Sequence, residues 1–168
     1  MNFAVSDGPL FAHLNDDDPA LLDARSDANR TLPQFMDAFA RRRFELAAYL
    51  VKVPFLDRDN TGEPALIRTS ELAAEYPTQQ MCHLWLAVNS VLEDLLFCSV
   101  LDAPPALRLS RGDSVVIETS LIEDWMINQG GVVYGGFSMR VIRSRLPEHD
   151  RRRFDVYTGI YEFKHFSP

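Results

Sequence analysis

The sequence predicts an α+β protein with helices first, an antiparallel sheet in the middle and helices again near the C-terminus. Apolar residues recur at helical spacing before residue 45 and after residue 137, and strand-length apolar runs lie between these positions. Gly, Pro, Asn and Asp residues separate the runs at short intervals, as in hairpin-connected strands. The predicted sheet is therefore antiparallel and strongly twisted, and a barrel-like meander is one arrangement that it could adopt.

Length and composition indicate a single globular domain. The chain has 168 residues, 46% of them apolar and 24% charged, which is typical of a folded domain and not of a disordered chain. We expect one domain over residues 17–168, preceded by a loose lead-in over residues 1–16. Cys82 and Cys98 both lie in apolar runs and are expected to be small buried hydrophobes in a reducing compartment.

The net charge of −7 argues against non-specific attraction to nucleic acid or to an anionic membrane. No apolar run approaches the about 18 residues that a membrane-spanning helix needs, and the first residues lack the pattern of a secretory signal. We therefore expect a cytoplasmic protein with no nucleic-acid and no membrane partner.

Two helices are predicted in the N-terminal part. Asp18-Pro19 is typical of a helix start, with Asp as the N-cap and Pro in the first turn, and this helix would end near Ala28. Thr31 to Gln34 then has the pattern of a capping box and predicts a second helix. Arg41 to Arg43 would lie in the last turn of that helix, where cations suit the helix dipole.

The central elements are predicted mainly as strands. They are placed at Phe44–Leu56, Met81–Val88, Leu95–Leu101, Ser114–Glu118, and in a hairpin of Trp125–Asn128 with Val132–Tyr134. A turn is predicted at Asn89-Ser90, a loop at Asp57–Pro64 and a short helix at Ser70–Tyr76. Two further helices are expected over Ser138–Arg145 and from Pro147 to about Phe154, before a tail that is either a last strand or an extended cover.

Two residues are candidates for acid–base chemistry, His83 and Asp124. His83 lies in a predicted strand beside Cys82, but consecutive strand residues face opposite sides, so the two cannot share a proton. A histidine hydrogen-bonded within the sheet is the more common meaning of this pattern, and Asp124 more plausibly caps the turn before Trp125. The sequence has no zinc-binding spacing and no nucleophile motif, so no metal and no cofactor are expected.

The glycine-rich stretch from Gly130 to Ser138 is open to two interpretations. Glycines before a helix N-terminus can present backbone N–H groups to an anion, or they can simply allow a tight turn and a close passage from strand to helix. The arginines that follow would suit an acidic partner, although a solvated helix face is more common. The predicted binding residues are Trp85, Trp125, Tyr134, Gly135, Gly136 and Arg140.

Short motifs follow one another in an order that suggests a family. They are Arg30-Thr31-Leu32-Pro33, Val51-Lys52-Val53, His83-Leu84-Trp85, Gly112-Asp113, Asp124-Trp125-Met126 and Gly135-Gly136-Phe137 with Arg140. Together they resemble the bacterial YegJ-like proteins, domain of unknown function 2314, over about Asp17 to Asp155. The resemblance implies a bacterial cytoplasmic protein, sometimes a module of a larger chain, with no established activity. Cys82 stands where this family often has an acidic residue, so the chain lacks an acid–histidine pair at that place.

The residues leave three functions open. A non-enzymatic protein-interaction or ligand-binding module is favoured, because no acid, base and nucleophile converge and because Trp85, Trp125 and Tyr134 offer aromatic surface. The first alternative is a small-molecule enzyme with a cleft beside Gly135-Gly136 that uses His83 and Asp124. The second is an immunity-type protein that neutralises a partner. The partner is an unknown protein or small molecule, and the sequence does not predict the oligomeric state.

Overall fold

The computed structural model describes residues 18–55, 65–67, 82–103 and 109–166. The predicted lead-in over residues 1–16, the loop Asp57–Pro64 and the short helix Ser70–Tyr76 lie outside these residues. The described chain divides into two compact units, one of residues 50–123 and the other of residues 18–49 with 124–166. Helices and strands are both present in the order that the sequence predicts, so the α+β class is confirmed. The single domain over residues 17–168 stays a prediction.

The unit of residues 50–123 is built on a five-stranded sheet. Its strands are β1 (Ala48–Phe55, whose first two residues precede the unit), β2 (Ala65–Ile67), β3 (Cys82–Leu92), β4 (Leu95–Val100) and β5 (Ser114–Glu118). Their order is β2-β5-β4-β3-β1, which is open and not closed into a barrel. The pairs among β1, β3, β4 and β5 are antiparallel, as predicted, whereas β2 pairs with β5 in parallel, so the sheet is mixed.

One face of this sheet forms a core. On β4, Leu96, Cys98 and Val100 are buried and alternate with more exposed neighbours, which is the period of a strand with one covered face. Val115 and Ile117 on β5 lie opposite Cys98 and Leu96 and are buried as well. The burial of Cys98 confirms the expectation for this cysteine.

The predicted turn at Asn89-Ser90 is wrong. β3 continues to Leu92, and the turn to β4 is made by Glu93 and Asp94, with Glu93 in the left-handed region at φ 55°. Asn89 stays in the strand because its side-chain amide donates a hydrogen bond of 2.7 Å to Ser99 Oγ. The register shifts between Val88 and Ser90, so a bulge accommodates the turn-like residues inside the strand.

The second unit combines three helices with a small sheet. The helices are α1 (Pro19–Ala40), α2 (Phe137–Arg145) and α3 (Glu148–Thr158). The strands are β6 (Asp124–Gln129), β7 (Val132–Gly135) and β8 (Glu162–Lys164). β6 and β7 form the predicted hairpin, and β8 pairs with β7 in parallel, which places part of the tail in a last strand.

The prediction of two N-terminal helices is wrong, because α1 is continuous through Pro33. The Thr31 hydroxyl does not cap a new helix but donates to the carbonyl of Asp27 four residues earlier, at 2.7 Å. A proline inside a helix costs about 3 kcal/mol. Burial of Phe35 and Phe39 on one side of Pro33 and of Ala28 on the other offsets this cost, since burying a large apolar side chain stabilises by about 2 kcal/mol.

The arginine triplet follows α1 instead of forming its last turn. α1 ends at Ala40, and Arg41 is the C-cap residue whose N–H donates to the carbonyl of Asp37. The Arg41 side chain also binds the Asp37 carboxylate at 2.7 Å. Arg42 has φ 50° and its guanidinium lies 4.9 Å from the centre of the Phe39 ring. The triplet therefore contacts residues of the last turn of α1, and these contacts stabilise the end of the helix.

Charged pairs connect the helices of this unit. Asp18, the N-cap residue of α1, accepts hydrogen bonds of 2.5 and 2.6 Å from Arg145 in the last turn of α2. This guanidinium holds the pKa of the Asp18 carboxyl below its usual value. Arg143 likewise forms a two-bond pair with Asp155 on α3, at 2.7 and 2.8 Å. These pairs fix the N-terminus of α1 and the middle of α3 to α2.

The buried thiol of Cys98 generates a test of the core. Burial raises its pKa to about 12, so both access and thiolate formation are suppressed at neutral pH. The Cys82→Ser variant leaves Cys98 as the single cysteine. We expect this variant to react with iodoacetamide at least about 100-fold more slowly when folded than when unfolded in urea, because the reaction requires an opened core. Labelling rates followed by mass spectrometry check this. Equal rates in the two states would contradict the buried position.

Candidate functional site

The Asp124 carboxylate is the centre of the Asp124–Gly136 region. Its Oδ1 accepts hydrogen bonds from the backbone N–H groups of Trp125 (2.8 Å) and Phe137 (3.1 Å). Its Oδ2 accepts from the N–H (2.7 Å) and the hydroxyl (2.6 Å) of Ser138. The residue at the N-cap of α2 is Gly136, which has no side chain. A carboxylate from the preceding strand therefore caps this helix from 13 and 14 residues away.

A carboxylate that is only 1% exposed needs compensation for its lost hydration. The hydrogen bonds from α2 and the positive end of its dipole provide it. Arg140, one turn into α2, adds a favourable Coulomb interaction: burial lowers the pKa of Arg140, and the Asp124 carboxylate offsets part of this effect. These contacts give Asp124 a structural role. Because the residue is only 1% exposed, it offers almost no surface to a substrate.

Trp125 anchors the hairpin to α1. Its side chain is completely buried, and its indole N–H lies 3.1 Å from both the Ala28 carbonyl and the Thr31 hydroxyl. The ring packs against aromatic rings from three parts of the unit, with centroid distances of 5.4 Å to Phe35, 5.7 Å to Phe137 and 5.9 Å to Phe166. Both the apolar and the polar parts of the indole are thus used inside the fold.

Gly135 and Gly136 allow the chain to pass close to Trp125. Both have positive φ angles, 74° and 63°. A Cβ atom at Gly135 would lie 2.4 Å from the Trp125 carbonyl oxygen and 2.6 Å from its ring. The N–H of Gly136 donates to the same carbonyl at 2.7 Å. Because the Asp124 carboxylate accepts the first N–H groups of α2, the anion at this helix N-terminus is the protein's own side chain.

Arg140 and Tyr134 keep part of their surface exposed. The Arg140 guanidinium donates to the carbonyls of Gly135 (2.9 Å) and Lys164 (2.7 Å), so it holds the end of β7 beside β8. It also lies 4.8 Å from the centre of the Phe163 ring. Tyr134 stacks near Phe44, with 4.7 Å between the ring centroids.

His83 is paired with a carboxylate that no sequence motif connects with it. Its Nδ1 lies 2.6 Å from Glu123 Oε2, and the two side chains are 21% and 9% exposed. Glu123 is held in place by its own backbone, whose N–H donates to the carbonyl of Lys52 at 2.9 Å. The pair joins a residue of β3 to one just before β6, 40 positions along the chain, so local spacing carried no signal for it. This chain therefore has an acid–histidine pair, and its acid is not at position 82.

The side of β3, β4 and β5 opposite the core is called the outer face below. It carries Leu92, Leu95, Phe97 and Val116, which the strand register places side by side: Leu92 faces Leu95, and Phe97 faces Val116. Leu92 is 61% exposed and Phe97 is 38% exposed. Trp85 lies farther along β3, opposite Lys52 on β1, and is partly exposed.

The β6–β7 hairpin thus brings together three of the predicted binding residues, Trp125, Gly135 and Gly136, all of which are buried. They shape the fold, and their predicted binding role stays a prediction. Tyr134, Arg140 and Trp85 retain exposed atoms, and a binding role for them stays a prediction. Within the described ranges, no group of three or more His, Cys, Asp or Glu side chains is arranged to hold a metal ion.

The fold and the capped helix define an α+β protein. Its most distinctive sequence block, from Asp124 to Gly136, supports this architecture. The chain belongs to the family described as "Uncharacterized protein conserved in bacteria (DUF2314)", whose model matches residues 18–163. This confirms the family that the motifs indicate, while the YegJ-like name stays a prediction. None of the described helices has the length and apolar character required to cross a bilayer.

A relative in Neisseria meningitidis serogroup B carries the name "Putative ankyrin repeat protein". It is 28% identical to this chain over an alignment of 140 residues, and the alignment covers 79% of this chain. The matched part is 48% of the relative, so the chain spans about half of the relative's length. The chain matches no solved structure.

Removing the Asp124 carboxylate should destabilise the second unit strongly. Asp124→Ala leaves the first N–H groups of α2 buried without their acceptor, and we expect a loss of about 3 kcal/mol in the free energy of unfolding. Ser138→Ala is the matched control, because it removes only the hydroxyl contact and should cost about 1 kcal/mol. Urea unfolding followed by circular dichroism measures both. Equal losses in the two variants would show that the backbone cap is unimportant.

Gly130, in the turn of the β6–β7 hairpin, and Gly135, at the end of β7, offer a second matched comparison. Gly135→Ala forces a Cβ onto the Trp125 carbonyl and ring, and together with the positive φ should cost about 3 kcal/mol or more. At Gly130, whose φ is 60°, a Cβ meets no atom within 4 Å, so Gly130→Ala should cost only about 1 kcal/mol of backbone strain. Thermal melting distinguishes the variants, and similar melting temperatures would contradict the close passage at Gly135.

Proposed function

We propose that this protein is a non-enzymatic protein-interaction module of the bacterial cytoplasm. The observation that carries the proposal is the outer face, where Leu92 and Phe97 are exposed beside Leu95 and Val116 on neighbouring strands. Single exposed apolar side chains are common on soluble proteins, but a group of them on adjacent strands is typical of a contact surface. An aromatic ring on a rigid sheet contributes contact area at low entropic cost, as interface residues do.

The position of Asp124, one of the two acid–base candidates, also favours binding over catalysis. Asp124 is engaged as a helix cap and is almost fully buried, so it is poorly placed to exchange a proton with a substrate. The name of the Neisseria relative also favours a binding function, since repeat proteins of the ankyrin type use extended surfaces for binding. A buried Cys98 without a disulfide is consistent with the proposed cytoplasmic location.

A small-molecule enzyme is the second candidate, because a carboxylate fixes one nitrogen of His83 as in many acid–base sites. For this candidate, turnover of a substrate from a metabolite panel must be lost in His83→Gln and retained in Phe97→Glu. The immunity-type alternative is a special case of the interaction module, in which the bound partner is harmful to the cell.

A charge on the outer face should abolish binding without unfolding the protein. Wild-type protein carrying an affinity tag, Phe97→Glu, and Leu22→Glu as the control would be used to capture partners from bacterial lysate, with quantification by mass spectrometry. Leu22 is 50% exposed on α1, so the control adds the same charge at another exposed apolar position. We expect captured partners to fall at least about tenfold in Phe97→Glu only, since a buried unpaired charge costs more than 1.4 kcal/mol.

Circular dichroism must show that both variants are folded. Partners retained equally by Phe97→Glu and the wild type would remove the outer face from the proposal. If Phe97→Glu loses no partner and turnover of a substrate depends on His83, the enzyme is favoured instead.

A further inference from the structure

The C-terminal arginines differ sharply in how they are used. Four of the six form side-chain hydrogen bonds within the protein: Arg140 binds backbone carbonyls, Arg143 binds Asp155, Arg145 binds Asp18, and Arg151 binds the carbonyls of Leu146 and Ser144. The other two, Arg152 and Arg153, point outward from α3. Arg152 forms no ion pair with any other described residue.

The two outward arginines flank exposed apolar surface. Val156 follows Arg152 by four residues and Arg153 by three, so the three side chains share one patch of the helix. Val156 is 77% exposed and Tyr157, one turn after Arg153, is 38% exposed. His149 lies one turn before Arg152 and Arg153 and is 76% exposed at its side chain. These five residues are called the α3 face.

We propose that the α3 face binds an acidic protein segment that presents an apolar side chain to Val156 and Tyr157. The complement of two cations around an apolar centre is a pair of carboxylates around an apolar side chain. Guanidinium groups bind carboxylates through paired hydrogen bonds, and Arg and Tyr are enriched at the energetically dominant positions of interfaces.

Arg153 keeps its capacity for such a partner. Its nearest internal carboxylate is Asp150, whose Oδ1 lies 3.5 Å from the guanidinium, a distance at the limit of a hydrogen bond. The Arg153 side chain is 63% exposed, whereas that of Asp150 is 1% exposed. The contact therefore orients Arg153 while most of its donors remain in solvent.

An acidic protein suits this face better than a nucleic acid does. Only two arginines are turned outward here, fewer than the row of phosphate contacts from which nucleic-acid binders derive their affinity. A phosphate backbone also offers no apolar group for Val156. The proposal goes beyond the interaction at the outer face, since it concerns a different surface, and either can fail alone.

The probe is a fluorescently labelled random copolymer of glutamate and tyrosine, with binding to the full chain measured by anisotropy at low salt. We expect binding that weakens as salt is added. The Arg152→Gln, Arg153→Gln double variant should bind about tenfold more weakly, because it removes both charges that face the probe. Arg30→Gln, Arg41→Gln, on α1 and at its C-cap, is the control: it makes the same change of net charge at arginines whose side chains are 71% and 75% exposed, and should bind as the wild type does.

Two further measurements test the chemistry of the partner. Polyglutamate without tyrosine should bind more weakly than the copolymer, and Val156→Asn should remove this difference. Circular dichroism and thermal melting establish that the variants are folded. The proposal is overturned if the copolymer does not bind, if both arginine pairs reduce binding equally, if polyglutamate binds as tightly as the copolymer, or if single-stranded oligothymidylate binds as tightly as the copolymer.

Discussion

The second unit depends on one buried carboxylate. Asp124 begins β6 and also accepts the first N–H groups of α2, so the strand and the helix are joined through a single side chain. This contact sets the path of the chain between them, and the path requires Gly135 and Gly136 to pass within contact distance of Trp125. The indole N–H of Trp125 in turn donates a hydrogen bond to the carbonyl of Ala28 in α1. Removing the carboxylate would therefore affect the hairpin, α2 and the packing on α1 together.

Sequence patterns predicted those parts of the fold whose signals are local. The strand Ser114–Glu118 and the β6–β7 hairpin follow from alternation and from the glycines of a tight turn. Thr31 to Gln34 and Asn89-Ser90 misled for a common reason. Both have residues typical of a cap or a turn, but packing of Phe35 and Phe39 keeps α1 continuous, and a bulge keeps β3 continuous. Tertiary contacts outweighed local preferences of a few kcal/mol.

The candidate site shows the same division. A capping role for the Glu123-Asp124 pair could be anticipated from residue type, although the capped element is α2 and not the turn before Trp125. The pairing of His83 with Glu123 could not, since it depends on the register of β1 with β3 and on the path of the chain after β5. Exposure is also a tertiary property. The block that identifies the family is largely buried, while the surfaces proposed for binding consist of unremarkable residues such as Leu92 and Val156.

The distribution of the two tryptophans gives the molecule a built-in pair of reporters. Trp85 lies in the unit of residues 50–123 and is partly exposed to solvent, whereas Trp125 lies in the other unit and is sealed from it. For that reason we expect the sealed indole to emit at shorter wavelength than the exposed one. Each unit can therefore be observed through its own intrinsic fluorophore, so the cooperativity of their unfolding is accessible from emission wavelengths alone, without any attached dye.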